Sequence, residues 1–415
     1  MRLGSENSLY LVSSRRILPA FLAALLVLAG AASAGPRTVA VADVHGAFPE
    51  FVATLQTAGL IDDNRRWTGG ASVLVQTGDV PDRGAGTREC LDLLMSLERE
   101  AGQHKGRVIP LLGNHEVMNM IGDLRYVSPA EYRAFVTPES ERTRERAWDD
   151  YRGLIRERDR RRRRNPAAET AKERAAWNEQ HPLGFFEHRD AYGPRGRYGA
   201  WLRTHDAIAR VGGVLFVHGG INSQLKFGRV EDLNRRVRDE LEEFDQLWEV
   251  LVRNQVIWRY MRLEEAIAAA QEEAVEREAG AFPFDARVAK ALERLLGMDR
   301  WLIMSPEGPL WYRGYAQLAD DQLDEIVPAL LSRLKAERVV VGHSPTSDHR
   351  VRSRAGDRIF LIDTGMLAER YGGQGSALEV QDGRVTAYYA AGGREVLVAP
   401  KGLPGVAAGG GGKEQ

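Results

Sequence analysis

Apolar residues in this chain gather into short runs, and each run stops at a polar residue with a lone pair to offer. Thr38 to Ala42 leads into Asp43, Ser72 to Gly78 into Asp79, and Val108 to Gly113 into Asn114. Later, Val214 to Val217 ends at His218 and Val339 to Gly342 ends at His343. Runs this short and this β-rich predict buried strands rather than helices. Pro110, which has no N–H to give, sits poorly in a central strand. Between the first three runs lie helix-like stretches, Phe48 to Ala58 and Thr87 to Ala101. Strands alternating with helices predict βαβ units, an α/β class and a largely parallel sheet. In such sheets ligands sit beyond the carboxyl ends of the strands, so the five end-residues are expected to converge at one edge.

Two stretches follow another pattern. From about Arg125 to His205 the chain is densely charged and includes the unbroken run Arg160 to Arg164. From Val230 to Gly280, apolar Leu233, Val237, Leu241, Phe244 and Trp248 recur at three- and four-residue spacing, which marks an amphipathic helix. Residues 125–205 and 230–280 are therefore read as helical insertions that cover or flank the site. The arginine run is expected to be a solvated helix face, with recruitment of an acidic or phosphorylated partner as the sharper alternative. Ala377 to Tyr389 alternates around Asp382-Gly383 and predicts a hairpin. Residues 401–415, with their glycine run, are expected to be a flexible tail.

Composition narrows the function. The chain has 415 residues with 57 basic and 58 acidic side chains, long enough for a large core and too balanced for a general nucleic-acid binder. Arg15 and Arg16 precede an apolar stretch from Ile17 to Ala32, followed by Ala32-Ser33-Ala34. This predicts a signal peptide over residues 1–34, a main domain over 35–400 and a periplasmic or secreted protein with no membrane attachment after cleavage. The arginine pair also raises the twin-arginine route. Cys90 is the only cysteine, so no intrachain disulfide is expected.

Five motifs carry the chemistry, in this order: Asp43-Val44-His45-Gly46, Gly78-Asp79-Val80-Pro81-Asp82-Arg83-Gly84, Gly113-Asn114-His115-Glu116, Val217-His218-Gly219-Gly220 and Gly342-His343-Ser344-Pro345. A pair of divalent ions needs roughly six to eight N and O ligands from several strand ends, with one carboxylate able to bridge. Asp43 and His45, two apart, can reach one ion from the same turn. Asp79 is the natural bridge. Asn114, His218 and His343 complete the shell of a second. Mixed N and O ligands without thiolate suit manganese first, with iron or zinc as alternatives.

Together these motifs resemble those of the calcineurin-like metallophosphoesterases, and more closely the PPP-type phosphatases and their bacterial-type Shewanella-like branch. The resemblance implies a β-sandwich flanked by helices, with an inserted charged helical region over the site. It implies two divalent ions, Asp43, His45 and Asp79 on one and Asp79, Asn114, His218 and His343 on the other. It implies that His115 is the general acid held by Asp82, that Arg83 grips the phosphate, and that Arg313 of Trp311-Tyr312-Arg313-Gly314 is a second phosphate-binding arginine. The implied reaction is hydrolysis of phosphate monoesters by metal-activated water, on a phosphorylated protein (Tyr or Ser/Thr) or a small phosphoester. A dinucleoside polyphosphate hydrolase and a non-catalytic metal- or phosphopeptide-binding module are the alternatives. The chain departs from the family pattern at Ala42, where glycine is usual, and at Pro81, where a larger apolar residue is common. The tail motif of eukaryotic members is missing, and Ile362-Asp363-Thr364-Gly365 takes a comparable place. Asp363 is expected to be a turn residue or a support for a ligand. His104, His181, His188, His205 and His349 lie outside every motif and are expected to serve surface or core.

Overall fold

Val39 and Val41 face one apolar cluster and Ala40 and Ala42 another, so the first strand, β1 (Thr38–Val41), is buried on both sides. The computed structural model describes residues 37–163, 165, 168–280 and 285–400. The expected signal peptide and tail lie outside the described residues. From β1 the chain runs through α1 (Phe48–Thr57), β2 (Val73–Gln76), α2 (Thr87–Gln103) and β3 (Arg107–Pro110). β1, β2 and β3 pair in parallel, with Val39 opposite Leu74 and Leu74 opposite Val108. β3 is the edge of its sheet, not a central strand, and an edge is where a residue without an N–H is tolerated.

The 125–205 stretch is helical, as α4 (Pro129–Ala134), α5 (Ser140–Arg161), α6 (Ala171–Gln180), α7 (Phe185–Tyr192) and α8 (Arg197–Leu202), after α3 (Asn114–Ile121). β4 (Ile208–Val211) and β5 (Val214–Val217) follow, then the long α9 (Val230–Arg253), α10 (Leu263–Glu278) and α11 (Ala286–Leu296). The last third runs α12 (Gly314–Gln317), α13 (Asp320–Arg333), β6 (Arg338–Val341), β7 (Arg352–Arg354), β8 (Ile359–Leu361), α14 (Ala368–Tyr371), β9 (Ser376–Gln381), β10 (Arg384–Tyr389) and β11 (Arg394–Val398). Asp382 and Gly383, both at positive φ (50° and 79°), make the two-residue turn between β9 and β10 that their sequence predicts.

The single largely parallel sheet expected from the alternation of strands and helices is instead two sheets, ordered β11-β10-β9-β1-β2-β3 and β4-β5-β6-β8-β7. The first has parallel β1, β2 and β3 on one side and antiparallel β9, β10 and β11 on the other. The second has parallel β5, β6 and β8 at its centre with antiparallel β4 and β7 at its edges. Their facing sides share one core: Ala40, Val73, Val75 and Leu378 from the first meet Val214, Phe216, Val340 and Phe360 from the second. Burying a side chain such as Phe216 contributes roughly 1.5–3 kcal/mol. The opposite sides, with Val39, Leu74, Leu215 and Val339, pack against helices. This is the β-sandwich between helical layers that the resemblance implied.

The arginine run is not simply a solvated face. Arg162 pairs with Glu276 of α10 at 2.8 Å, Arg161 donates to the carbonyl of Gln255 at 3.1 Å, and Arg158, just before the run, pairs with Glu272 at 3.2 Å. The run binds one helical insertion to the other. Among the described residues, no helix is long and apolar enough to cross a membrane.

Candidate metal centre

Three of the six predicted ligands sit at turns whose backbone most residues avoid. His45, Asp79 and His343 have φ of 48°, 59° and 67°, and Asp82 and Arg83 have 75° and 72°. A side chain held in this region costs roughly 1–2 kcal/mol, and such outliers collect at functional sites. The glycines of the motifs make the room: a Cβ on Gly113 would collide with the Asp79 carboxylate, and one on Gly342 with that of Asp43. Ala42, the departure from the family pattern, turns its methyl into the core between the sheets. Pro81, the other departure, serves through its backbone, accepting His45 Nδ1 at 3.1 Å.

The side chains close around Asp79. Its Oδ2 lies 3.8 Å from His45 Nε2, 3.7 Å from His115 Nε2 and 3.2 Å from His218 Nε2. On the far side, His218 Nε2 is 3.0 Å from Asn114 Oδ1 and 2.9 Å from His343 Nδ1. Two groups, His45-Asp79-His115 and Asp79-His218-His343, each bring one donor atom per residue within 4.8 Å of the others. Asp79 belongs to both. Asp43 reaches the first group, with Oδ2 3.9 Å from His45 Nε2, and accepts the His343 amide at 2.9 Å. All six side chains named as ligands thus meet, and His115 stands among them.

The residues fit a pair of cations. A carbonyl can only accept, so His45 must donate Nδ1–H to Pro81 and His218 must donate Nδ1–H to Thr77, at 3.0 Å. Both rings then turn an Nε2 lone pair inward, as metal-binding imidazoles do. Asn114 Oδ1, His343 Nδ1 and Asp79 Oδ2 face the same space, and His343 Nε2 is buried with no hydrogen-bond partner. With no cation among them, these groups compete for protons. Burial raises Asp79, but the His218 and His115 imidazoles outweigh it and hold the carboxyl well below the usual range. Burial lowers His218, but Asp79 and Asp43 lift it to about 9, while burial and then His218 push neighbouring His343 down to about 2. Burial also raises Asp43. Inward lone pairs on N and O without thiolate are what a divalent ion takes.

Around the ligands stand supports, some without a role assignable from sequence. Glu116 accepts three backbone N–H groups, from Gly113 and Asp79 at 2.8 Å and Val80 at 2.7 Å, and so joins two of the motif loops. Its place directly after Asn114-His115 was the available signal. Asp82 accepts His115 Nδ1 and, at 2.9 Å, the carboxamide of Asn119. Burial lowers His115, yet Asp79 and Asp82 raise it on balance. Arg83 lies against His45, its guanidinium 5.1 Å from the Tyr126 ring and 5.5 Å from the Tyr371 ring. Neither tyrosine lies in a motif. Exposed Arg313 donates to the His343 carbonyl at 2.8 Å and to Ser344 Oγ at 2.9 Å. Asp363 accepts the Gly365 amide at 3.0 Å, a turn bond, and is raised well above the usual range by burial and then Asp43. His181, His188 and His205 are core residues and His104 is exposed. Cys90 is buried, its thiol pushed well up by burial, which leaves no thiolate nucleophile.

The calcineurin-like phosphoesterase family model matches residues 36–347. The chain belongs to that family. It is a metal-dependent phosphoester hydrolase, and divalent ions are its cofactors. Among relatives of this calcineurin-like phosphoesterase, an uncharacterized protein of Schizosaccharomyces pombe is 29% identical over 82% of this chain and 76% of its own length. Shewanella-like protein phosphatase 1 of Plasmodium berghei is 24% identical over 81% of this chain and 69% of its own. The crystal structure of a cold-active protein-tyrosine phosphatase of a psychrophilic Shewanella covers 87% of this chain and 80% of its own at a TM-score of 0.54 and 22% identity, a likeness of fold.

Proposed function

We propose that this hydrolase is a protein phosphatase that prefers phosphotyrosine, uses manganese, and works after export to the periplasm or cell exterior. One observation carries the substrate reading. The Arg83 guanidinium, apt for gripping a phosphoryl group, lies against the rings of Tyr126 and Tyr371, and the Tyr126 ring is itself 5.0 Å from that of His115. Aromatic walls beside a phosphate grip suit an aryl ester. The relative from Plasmodium berghei is named a protein phosphatase, which agrees. Export rests on the basic pair, apolar stretch and small-residue cleavage pattern of residues 15–34.

Asp43, His45 and Asp79 would hold one ion and Asp79, Asn114, His218 and His343 the other. When bound, such a pair supplies an activated water and charge for the phosphoryl oxygens. The chain's own residues do the rest. Arg83 and Arg313 orient the phosphoryl oxygens through charge-assisted hydrogen bonds. His115, its Nδ1 fixed by Asp82, gives a proton to the leaving oxygen from Nε2. Asn119 keeps Asp82 from turning away.

The test is a substrate panel with Mn²⁺: p-nitrophenyl phosphate, peptides bearing phosphotyrosine, phosphoserine or phosphothreonine, and diadenosine tetraphosphate. Phosphotyrosine peptides should be turned over fastest. Faster hydrolysis of diadenosine tetraphosphate than of any peptide would replace this reading with the polyphosphate hydrolase, and metal binding without turnover would leave only the binding module.

A further inference from the structure

Away from the metal centre, α7, α9 and the Arg259–Tyr260 turn enclose a cavity of about 790 Å³. One wall is aromatic: Phe244 and Trp248 have ring centroids 5.3 Å apart, and half-buried Tyr260 stands near them. Arg189 lines the same cavity and is only 9% exposed. Among the described residues it forms no ion pair, and its Nε has no hydrogen-bond partner. Burial pushes it down to about 10, which leaves it cationic at neutral pH. The acids nearby are already engaged. Asp190 accepts Arg259 at 3.2 Å and the Tyr260 hydroxyl at 3.1 Å, Asp245 accepts Arg203 at 2.7 Å, and Glu249 accepts Arg253. Exposed Glu242 accepts Gln246. Exposed Arg195, at the rim, has no ion pair among the described residues.

A buried cation with no ion pair of its own is costly, and buried polar groups ordinarily find partners. We propose that this cavity is a second, non-catalytic site for a small organic anion, with its carboxylate or phosphate on Arg189 and its apolar body against Trp248 and Tyr260. The site is wired to the proton donor. Arg189 Nη1 donates to the Asn119 carbonyl at 3.1 Å, the Asn119 carboxamide donates to Asp82 Oδ1, and Asp82 Oδ2 accepts His115 Nδ1. An anion that draws the guanidinium toward itself loosens its grip on α3, and the Asp82–His115 pair shifts with it.

The test titrates 1-naphthoate and phenylphosphonate into the Mn²⁺-loaded protein by calorimetry, and follows p-nitrophenyl phosphate turnover in parallel. Naphthoate should bind wild type and change kcat without competing with substrate. Arg189→Met should bind it roughly tenfold more weakly or worse, with the kinetic response lost. Inhibition by inorganic phosphate, which reports the metal centre, should stay within about twofold. Trp248→Ala provides the same comparison should the methionine variant not fold, and Arg189→Lys, which keeps the charge, should retain most of the binding. The relative affinity of the two probes tells whether the cavity takes a carboxylate or a phosphate. No naphthoate binding at about 10 mM, equal binding by Arg189→Met, or purely competitive inhibition in both proteins would overturn the proposal.

Discussion

His115 offers one nitrogen to Asp82 and turns the other toward Asp79, so it can act as proton donor or as a ligand. His115→Asn separates these jobs. Metal content should stay near wild type while kcat falls roughly a hundredfold or more. Elemental analysis finding both ions gone would make His115 a ligand. Glu116→Gln tests the loop brace. Glutamine has one acceptor oxygen where three amides point, so stability should fall by about 1–3 kcal/mol and metal affinity by roughly ten- to a hundredfold. Unchanged denaturation and unchanged metal affinity would show that the loops hold without it. At this scale the sequence was informative where a polar residue ends an apolar run, which is how Asp43, Asp79, Asn114, His218 and His343 stood out. It was silent on Tyr126 and Tyr371. A tyrosine in a loop or in a one-turn helix such as α14 has no periodicity to betray what it faces.

Among elements, the helical layer has its own acid sensitivity. His188, on α7, is fully buried among Tyr132, Phe135 and Tyr192, and burial and then Arg189 push it down to about 3. A histidine neutral in the folded protein takes up its proton only on unfolding. Stability is therefore fully present above the unfolded value of about 6.5 and lost as pH falls toward 3. From pH 7 to 5 this one ring should cost about 2 kcal/mol, and His188→Phe should flatten the pH dependence of urea unfolding by that amount. An identical slope in the variant would mean the ring is already protonated or freely hydrated. Helices were legible in sequence because their apolar stripes are local. The division into two sheets was legible only through the family motifs and not from periodicity, because β1-α1-β2-α2-β3 alternates the same way whether the later strands join that sheet or start another. That choice is made by pairs such as Ala40 with Leu378, more than three hundred positions apart. The arginine run likewise showed its charge but not its partners, such as Glu276 on α10, 114 positions from Arg162.

For the whole molecule, the centre is a seam. Asp43, His45, Asp79, Asn114 and His115 follow strands of the first sheet, and His218 and His343 follow strands of the second. Removing the ions should leave inward lone pairs and carboxylates unscreened across that seam. A chelated sample should melt several degrees lower, and Mn²⁺ should restore the wild-type melting temperature. No difference by calorimetry would mean that ion binding contributes little to holding the sheets together.

The His343 amide meets the Asp43 carboxylate across 300 positions of chain. A ribosome delivers Asp43 early and His343 only after β6 has emerged, so a nascent or prematurely terminated polypeptide carries an open half-site. The metal centre therefore belongs to the nearly finished chain, and no fragment ending before β6 contains all six ligands.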